Sequence, residues 1–440
     1  MRRLSTIPRD PVPDATRDYF RDGAEFISRR AERLGSDIFE TRLWLQPVIC
    51  LRGPEALALF YGGTGLRRLG PGPRRLLRLP DHGGRISQTE GPAHQARKAL
   101  FIRLLMAPGR TAALAELFRS EWAAALPGWE RQERLILGDA LTPLLARVGW
   151  RWCGLEPDEA GESQLSALAR ASGRGRQAPL LRYRLVRRLC RHLYAARTGR
   201  FRPQPDSPLA QMLAADQGGP LRQSADDLVD IICAVTAVSD YIIAAALTLV
   251  REPVWCALFR AGNAGLIEDF VEEVRRITPL APVVAARSVT PLPFSGHVIP
   301  SHRTVLLDLR SPLLDAGCFP EPTRFRPERM LSWRQAEPGF VPQGGGEVAL
   351  THRCPGEAAT VALMAEAVAG LCHDLHWTVP PQDLRPCAGP GPAVPRSRLI
   401  LSGIRRAGGR DGTLPEPGGS GCTQPPAETA ARRAEPLATE

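Results

Sequence analysis

The stretch FVPQGGGEVALTHRCPGE, Phe340 to Glu357, sets one cysteine behind a glycine run and a Thr-His-Arg, with Pro-Gly-Glu directly after it. Glycines allow close backbone approach ahead of Cys354, and Pro355 suits the first turn of a helix behind it. A sulfur at a helix N-terminus is favoured as thiolate by unpaired N–H groups and the positive end of the helix dipole. Cys354 therefore reads as a nucleophile or a metal ligand, against the competing reading of an inert buried cysteine. The segment behind it, GEAATVALMAEAVAGLCHDLHW, has the period of an amphipathic helix with Val361, Met364, Val368 and Leu371 facing inward.

Upstream, FVEEVRRITPLAP places Glu273 and Arg276 three residues apart, on one face of a helix. FPEPTRFRPERM follows, with Phe325, Pro327, Glu328 and Arg329, and then comes the cysteine loop. This ordered set, Glu-x-x-Arg, Pro-Glu-Arg and a Gly-rich loop ending in His-Arg-Cys-Pro-Gly, resembles the cytochrome P-450 superfamily. The resemblance implies a mostly α fold, a large helical domain with small β-sheets. It places a haem b between a long distal helix and the proximal loop, with Cys354 as axial ligand of the iron. Glu273, Arg276 and Arg329 would hold the loops beneath the haem. In GPAHQARK, His94 and Lys98 lie four residues apart on one helix face, within reach of a haem propionate by the same resemblance. Lys98 is the only lysine of the chain.

The longer glycine run and His352, two residues before the cysteine, narrow the likeness to the fatty-acid peroxygenase branch, in which hydrogen peroxide replaces dioxygen and redox partners. Supporting stretches run from about Ile7 to Arg406, so residues 1–406 read as one haem-thiolate domain and 407–440, rich in Gly, Pro and charge, as a disordered tail. In SADDLVDIICAVTAVSDYIIAAALTL, Ser224 is the expected N-cap, with Asp226 and Asp227 in the first turn. By resemblance this helix crosses the distal face. Dioxygen-using members carry an acid and an alcohol at its middle. Peroxygenases carry Arg-Pro, the arginine gripping the fatty-acid carboxylate that serves as acid-base for peroxide cleavage.

Here those two positions are Cys233 and Ala234, and Ser87 stands where the branch has a polar Gln or His. Three readings stay open. A peroxygenase could hold its substrate by Arg174 or Arg176, or take one without a carboxylate. An oxygenase using dioxygen and a redox partner would draw its proton relay from Thr236, Ser239 or Asp240. A haem-binding protein without turnover is the third. The expected substrate is small and apolar or fatty-acid-like.

The formal charge is +11, and Arg174 to His192 is strongly basic, yet its arginines alternate with Leu, Val and Tyr at helical spacing, which speaks against nucleic acid as a partner. Ten cysteines without paired spacing suit a reducing compartment, and Cys372, His373 and His376 lack the second pair that zinc needs. The N-terminus has no apolar signal core, and the greasiest segment, Ile231 to Val250, is interrupted by Asp240. The expectation is a cytoplasmic protein without membrane anchor. Short paired strands are expected in ETRLWLQPVICLRG, turning at Pro47, and again in PVVAARSV, HVIP and TVLLDL.

Overall fold

Apolar residues on every side of the latter half of the 221–251 segment, YIIAAALTL, demand that it be buried, and the rest of the helical layer forms around it. The computed structural model describes residues 6–62, 65–68, 86–171, 178–215, 219–330, 339–387, 389 and 391–407. The predicted tail, and Arg174 and Arg176, lie outside them. The helices are α1 Thr16–Asp22, α2 Phe26–Leu34, α3 Pro54–Gly62, α4 Gly91–Met106, α5 Arg110–Glu130, α6 Leu137–Trp152 and α7 Glu159–Ala171. Next come α8 Ala178–Arg197, α9 Pro208–Ala215, α10 Leu221–Arg251, α11 Pro253–Arg260, α12 Ile267–Ile277, α13 Arg310–Leu313 and α14 Glu357–His373.

α10 packs against α6, α8 and α14 in one large apolar core that includes Leu145, Trp150, Leu189, Ile232, Ile242, Phe270 and Leu371. Gly149 makes the α6–α10 contact possible, because a Cβ there would stand 3.1 Å from Ile232 Cγ2. Gly370 does the same for α14, where a Cβ would meet the Trp122 ring of α5 at 2.6 Å. α10 has the length and hydropathy of a membrane span, contrary to the sequence expectation, but 78% of its apolar window is buried inside the protein.

The β-structure is small. β1 Ile38–Leu43, β2 Gln46–Leu51, β8 Thr304–Asp308, β5 Val283–Ser288 and β3 Leu66–Arg68 form one sheet in that order, with only the β2–β8 pair parallel. Alternation along β2 and β8 sends Ile49, Leu51, Val305 and Leu307 to one apolar cluster and Val48, Cys50 and Leu306 to the other. β4 Arg134–Ile136, β10 Ile400–Arg406 and β9 Leu375–Thr378 form a second sheet, and β6 Leu292–Phe294 pairs with β7 His297–Ile299 across Ser295-Gly296, both at positive φ.

Three local expectations change. The β1–β2 turn is made by Trp44 and Leu45, with φ of 51° and 61°, and Pro47 sits inside β2. α10 begins at Leu221 without a side-chain cap, so Ser224 lies within the helix. Its neighbours Asp226 and Asp227 serve tertiary ion pairs instead. Finally α14 starts at Glu357, with Gly356 as N-cap, so Pro355 lies ahead of the helix and not at its first position.

Candidate active site

The glycine run folds the loop back on itself until Cys354 N–H donates to Gln343 O at 3.1 Å. Gly344 has φ of 102°, and a Cβ on it would lie 3.2 Å from Arg353 Cα; one on Gly345 would press on Val341 and the Tyr61 ring. Only glycine fits there. Cys354 is half-buried, and the N–H of Gly356 reaches its Sγ at 3.3 Å. Burial pushes this thiol up, outweighing the Gly356 N–H and the charges of Lys98 and Arg275. The helix terminus alone does not hold a thiolate here, whereas a bound metal ion deprotonates a coordinating thiol outright.

α4 stands beside this loop. Lys98 is 2% exposed and its Nζ donates to Arg353 O, next to the cysteine. His94, also buried, stacks on His352 with ring centroids 4.1 Å apart. Burial holds His94 down at about 4, with His352 and Lys98 adding to the effect, and brings Lys98 down to about 8 against the opposing pull of Cys354 and Glu357. His352 Nε2 comes within 3.4 Å of Glu90 Oε1 without completing a hydrogen bond. The buried Tyr61 hydroxyl has no hydrogen-bond partner among the described residues. Three basic groups and two unsatisfied polar atoms thus gather around one loop.

Behind the loop, α12 supplies a buried ion cluster. Glu273 receives Arg276 Nε at 2.7 Å and Arg276 Nη2 at 2.8 Å, and its Oε1 receives Arg329 Nε at 3.1 Å. Both Glu273 and Arg276 are 0% exposed. Arg329 spends its remaining donors on the carbonyls of Pro320, Glu321 and Arg324, so the cluster fastens the 320–329 segment to α12. Sequence reasoning missed Arg275. That side chain reaches Gln343 and Glu357, both at 2.8 Å, while Arg353 reaches the other oxygen of Glu357 at 2.7 Å. Arg275 thereby clamps both ends of the cysteine loop; its only sequence signal is the arginine doublet after Glu273.

α10 passes the other side of the loop, where the Tyr241 hydroxyl donates to Pro342 O and accepts from Leu280 N–H, both at 3.3 Å. Ahead of Tyr241, Asp230, Cys233, Ala234, Ala237 and Asp240 recur at three- and four-residue spacing as the one partly open stripe of a buried stretch. Cys233 and Ala234 belong to that stripe. Thr236 does not: it is 0% exposed, and its hydroxyl donates to Ile232 O at 2.7 Å. Ser239 is likewise buried. Ser87 is exposed in the 3₁₀ turn Ile86–Gln88. Cys372 is buried beside Cys256, and the described residues hold no cluster of three metal-ligating side chains.

Among solved structures, the chain superposes on cytochrome P-450EX alpha with myristic acid at a TM-score of 0.82 and 29% identity, covering 92% of this chain and 100% of that one. Against ligand-free cytochrome P-450 OleT the TM-score is 0.83 at 25% identity, over 92% and 100% of the two chains. A point variant of cytochrome P-450SP alpha gives 0.82 at 31% identity, over 90% and 100%. The chain belongs to the cytochrome P-450 superfamily. The family model for cytochrome P-450 matches residues 263–385, the stretch that holds Glu273, Arg276, Arg329 and Cys354. Curated P-450 relatives match over a shorter span: beta-amyrin 16-alpha-hydroxylase of Maesa lanceolata is 27% identical over 113 residues, 24% of this chain and 22% of that enzyme. Tabersonine 6,7-epoxidase isoform 1 of Catharanthus roseus is 26% identical over 143 residues, 31% of this chain and 28% of that enzyme.

The P-450 cofactor is haem b, and the residues present fit it. A haem needs an axial sulfur, donors for two propionates and apolar walls. Cys354 offers the sulfur, and the alanines of the α10 stripe offer a wall. Burial displaces both Lys98 and His94 downward, and a carboxylate placed beside them would meet Lys98 as a cation and His94 as a neutral ring able to donate one hydrogen bond.

Proposed function

We propose that this P-450 uses hydrogen peroxide to insert oxygen into a C–H bond of a long apolar, fatty-acid-like substrate. The observation that carries this reading is the pairing of the Cys354 loop with a small-residue stripe of α10, brought alongside each other by Tyr241 on Pro342. Cys354 Sγ would ligate the iron, and Lys98, His94 and His352 would meet the propionates. Bound there, the haem supplies peroxide activation and oxygen transfer, with the thiolate donating electron density to the iron. Glu273, Arg276, Arg329 and Arg275 keep the loop in place. Ala234 and Ala237 would leave room for an alkyl chain beside α10.

Burial of Thr236 and Ser239 removes two of the three relay candidates of the dioxygen-dependent reading from the stripe and leaves it Asp240 alone. The test is product analysis of the purified haem-loaded protein with long-chain acids, alcohols and peroxide. Hydroxylated products without any reductase are expected. Turnover only with dioxygen, a reductase and a nicotinamide donor would overturn the peroxide reading.

A further inference from the structure

Two thiols that the haem site does not use meet between α11 and α14. Trp255 and Phe259, four residues apart on one face of α11, pack on the Phe270 ring of α12 with centroids 6.0 and 5.4 Å away. Cys256 and Arg260 share another face at the same spacing. Arg260 Nε donates to Cys372 O at 2.8 Å and its Nη2 to Leu375 O at 3.5 Å, so this face lies against the last turn of α14. Cys372, 2% exposed, stands beside Cys256, which is partly exposed, and both are free thiols.

Their surroundings make the two sulfurs unequal. The Cys372 thiol holds Cys256 down to about 7 against the opposing effect of burial, and the Arg260 charge adds to it. The same pairing, together with burial, pushes Cys372 up, so Cys372 keeps its proton. Burial pushes up Cys50, Cys153, Cys190 and Cys318 as well, as it does for a cysteine that serves only as apolar filler. Cys256 has instead the setting of a reactive thiol: partial exposure, a neighbouring cation and a second cysteine within reach.

We propose that Cys256 and Cys372 form a peroxide-reactive modification site, in which Cys256 is the attacking thiol and Cys372 resolves it into a disulfide that ties α11 to α14. The Cys256 sulfur attacks one oxygen of hydrogen peroxide; an S–O bond forms, the O–O bond breaks, and the departing hydroxide takes up the Cys256 proton to leave as water. The Cys372 sulfur then attacks the sulfenic sulfur of Cys256. The S–S bond forms, the S–O bond breaks, and the leaving hydroxide takes the Cys372 proton as a second water. Two thiols are oxidised and one peroxide is reduced. Only Cys256 has to meet solvent, since Cys372 needs no reactant but its neighbour. This chemistry consumes the oxidant of the proposed haem reaction yet needs neither haem nor organic substrate.

The experiment exposes the full haem-loaded chain to a small excess of hydrogen peroxide, blocks the remaining thiols with N-ethylmaleimide under denaturing conditions and maps the cysteines by peptide mass spectrometry. A Cys256–Cys372 linkage that dithiothreitol reverses is expected, with Cys50 and Cys153 recovered as alkylated thiols. At about pH 7, Cys256 should be oxidised about tenfold faster than Cys190, as a thiolate is. In Cys372→Ser, dimedone should trap a sulfenic acid on Cys256, whereas in Cys256→Ser the Cys372 side chain should remain a thiol. Cys256 left as a thiol overturns the proposal, and so does oxidation no faster than that of Cys190, or Cys256 oxidised while Cys372 stays unlinked. Should Cys372→Ser not fold, the wild-type map decides, with Cys256→Ser at the partly exposed position as its control. The linkage is read on the protein and not on a product, so failure of peroxide-driven turnover overturns the proposed function and leaves this readout intact.

Discussion

Cys354 and Gly344 do different work within one loop, and their substitutions separate chemistry from shape. Cys354→Ala should fold, since a half-buried small side chain is lost, yet the reduced carbon monoxide complex should no longer show the thiolate band; a variant that keeps it would remove Cys354 from the iron. Gly344→Ala should retain the sulfur and lose the turn. A non-glycine residue at φ of 102°, with its Cβ 3.2 Å from Arg353 Cα, costs about 1–3 kcal/mol. Thermal denaturation of the variant should show that loss, together with lower haem occupancy. Cys354 was legible from the residues on either side of it, and His94 and Lys98 through the likeness of GPAHQARK to the family. The Tyr61 ring that fills the space against the glycines was not, because nearly three hundred residues of chain separate the two and neither stretch announces the other.

At the scale of elements, α12 and the 320–329 segment are joined by buried charges. Removing one partner of such a cluster strands the others, so Glu273→Ala should cost about 3–5 kcal/mol, visible as a fall in Tm or as failure to retain haem, because both Arg276 and Arg329 lose their carboxylate. Glu273→Gln, which keeps hydrogen-bond acceptance without the charge, should lose less. The spacing Glu-x-x-Arg placed only Glu273 and Arg276 on one helix face, and the family resemblance added Arg329 to them. Arg275 escaped notice because a helix neighbour points elsewhere, and what it points at, Gln343 and Glu357, is known only once α12 lies against the cysteine loop. The end of α10 was misread for a related reason. Ser224 and the two aspartates have the composition of a cap, but Asp226 is claimed by Arg182 and Asp227 by Arg97, and the helix begins earlier, at Leu221.

In the whole molecule α10 is the shared wall of the core, and its buried acids make stability depend on pH. Burial raises Asp227 from the ordinary 3.8 to about 6, aided by the neighbouring charges of Asp230 and Asp226 and opposed by Arg97. A folded-state value above the unfolded one means that the group's contribution is fully present below about pH 4 and is lost as pH rises through about 6. The difference in Tm between wild type and Asp227→Asn should therefore fall across that window and level off above it; a flat difference would contradict the shift. The sequence by itself determined the helical class, the long apolar helix, the Cys354 loop and the Glu273–Arg276 spacing. Each of these is written in local period or in residues adjacent along the chain. Only the tertiary structure decided that α10 is buried in protein, that Thr236 bonds its own helix, that Arg275 clamps the loop and that Arg182 sits on Asp230. Those outcomes depend on which faces meet when distant segments pack, and a contact between segments leaves no period in either one.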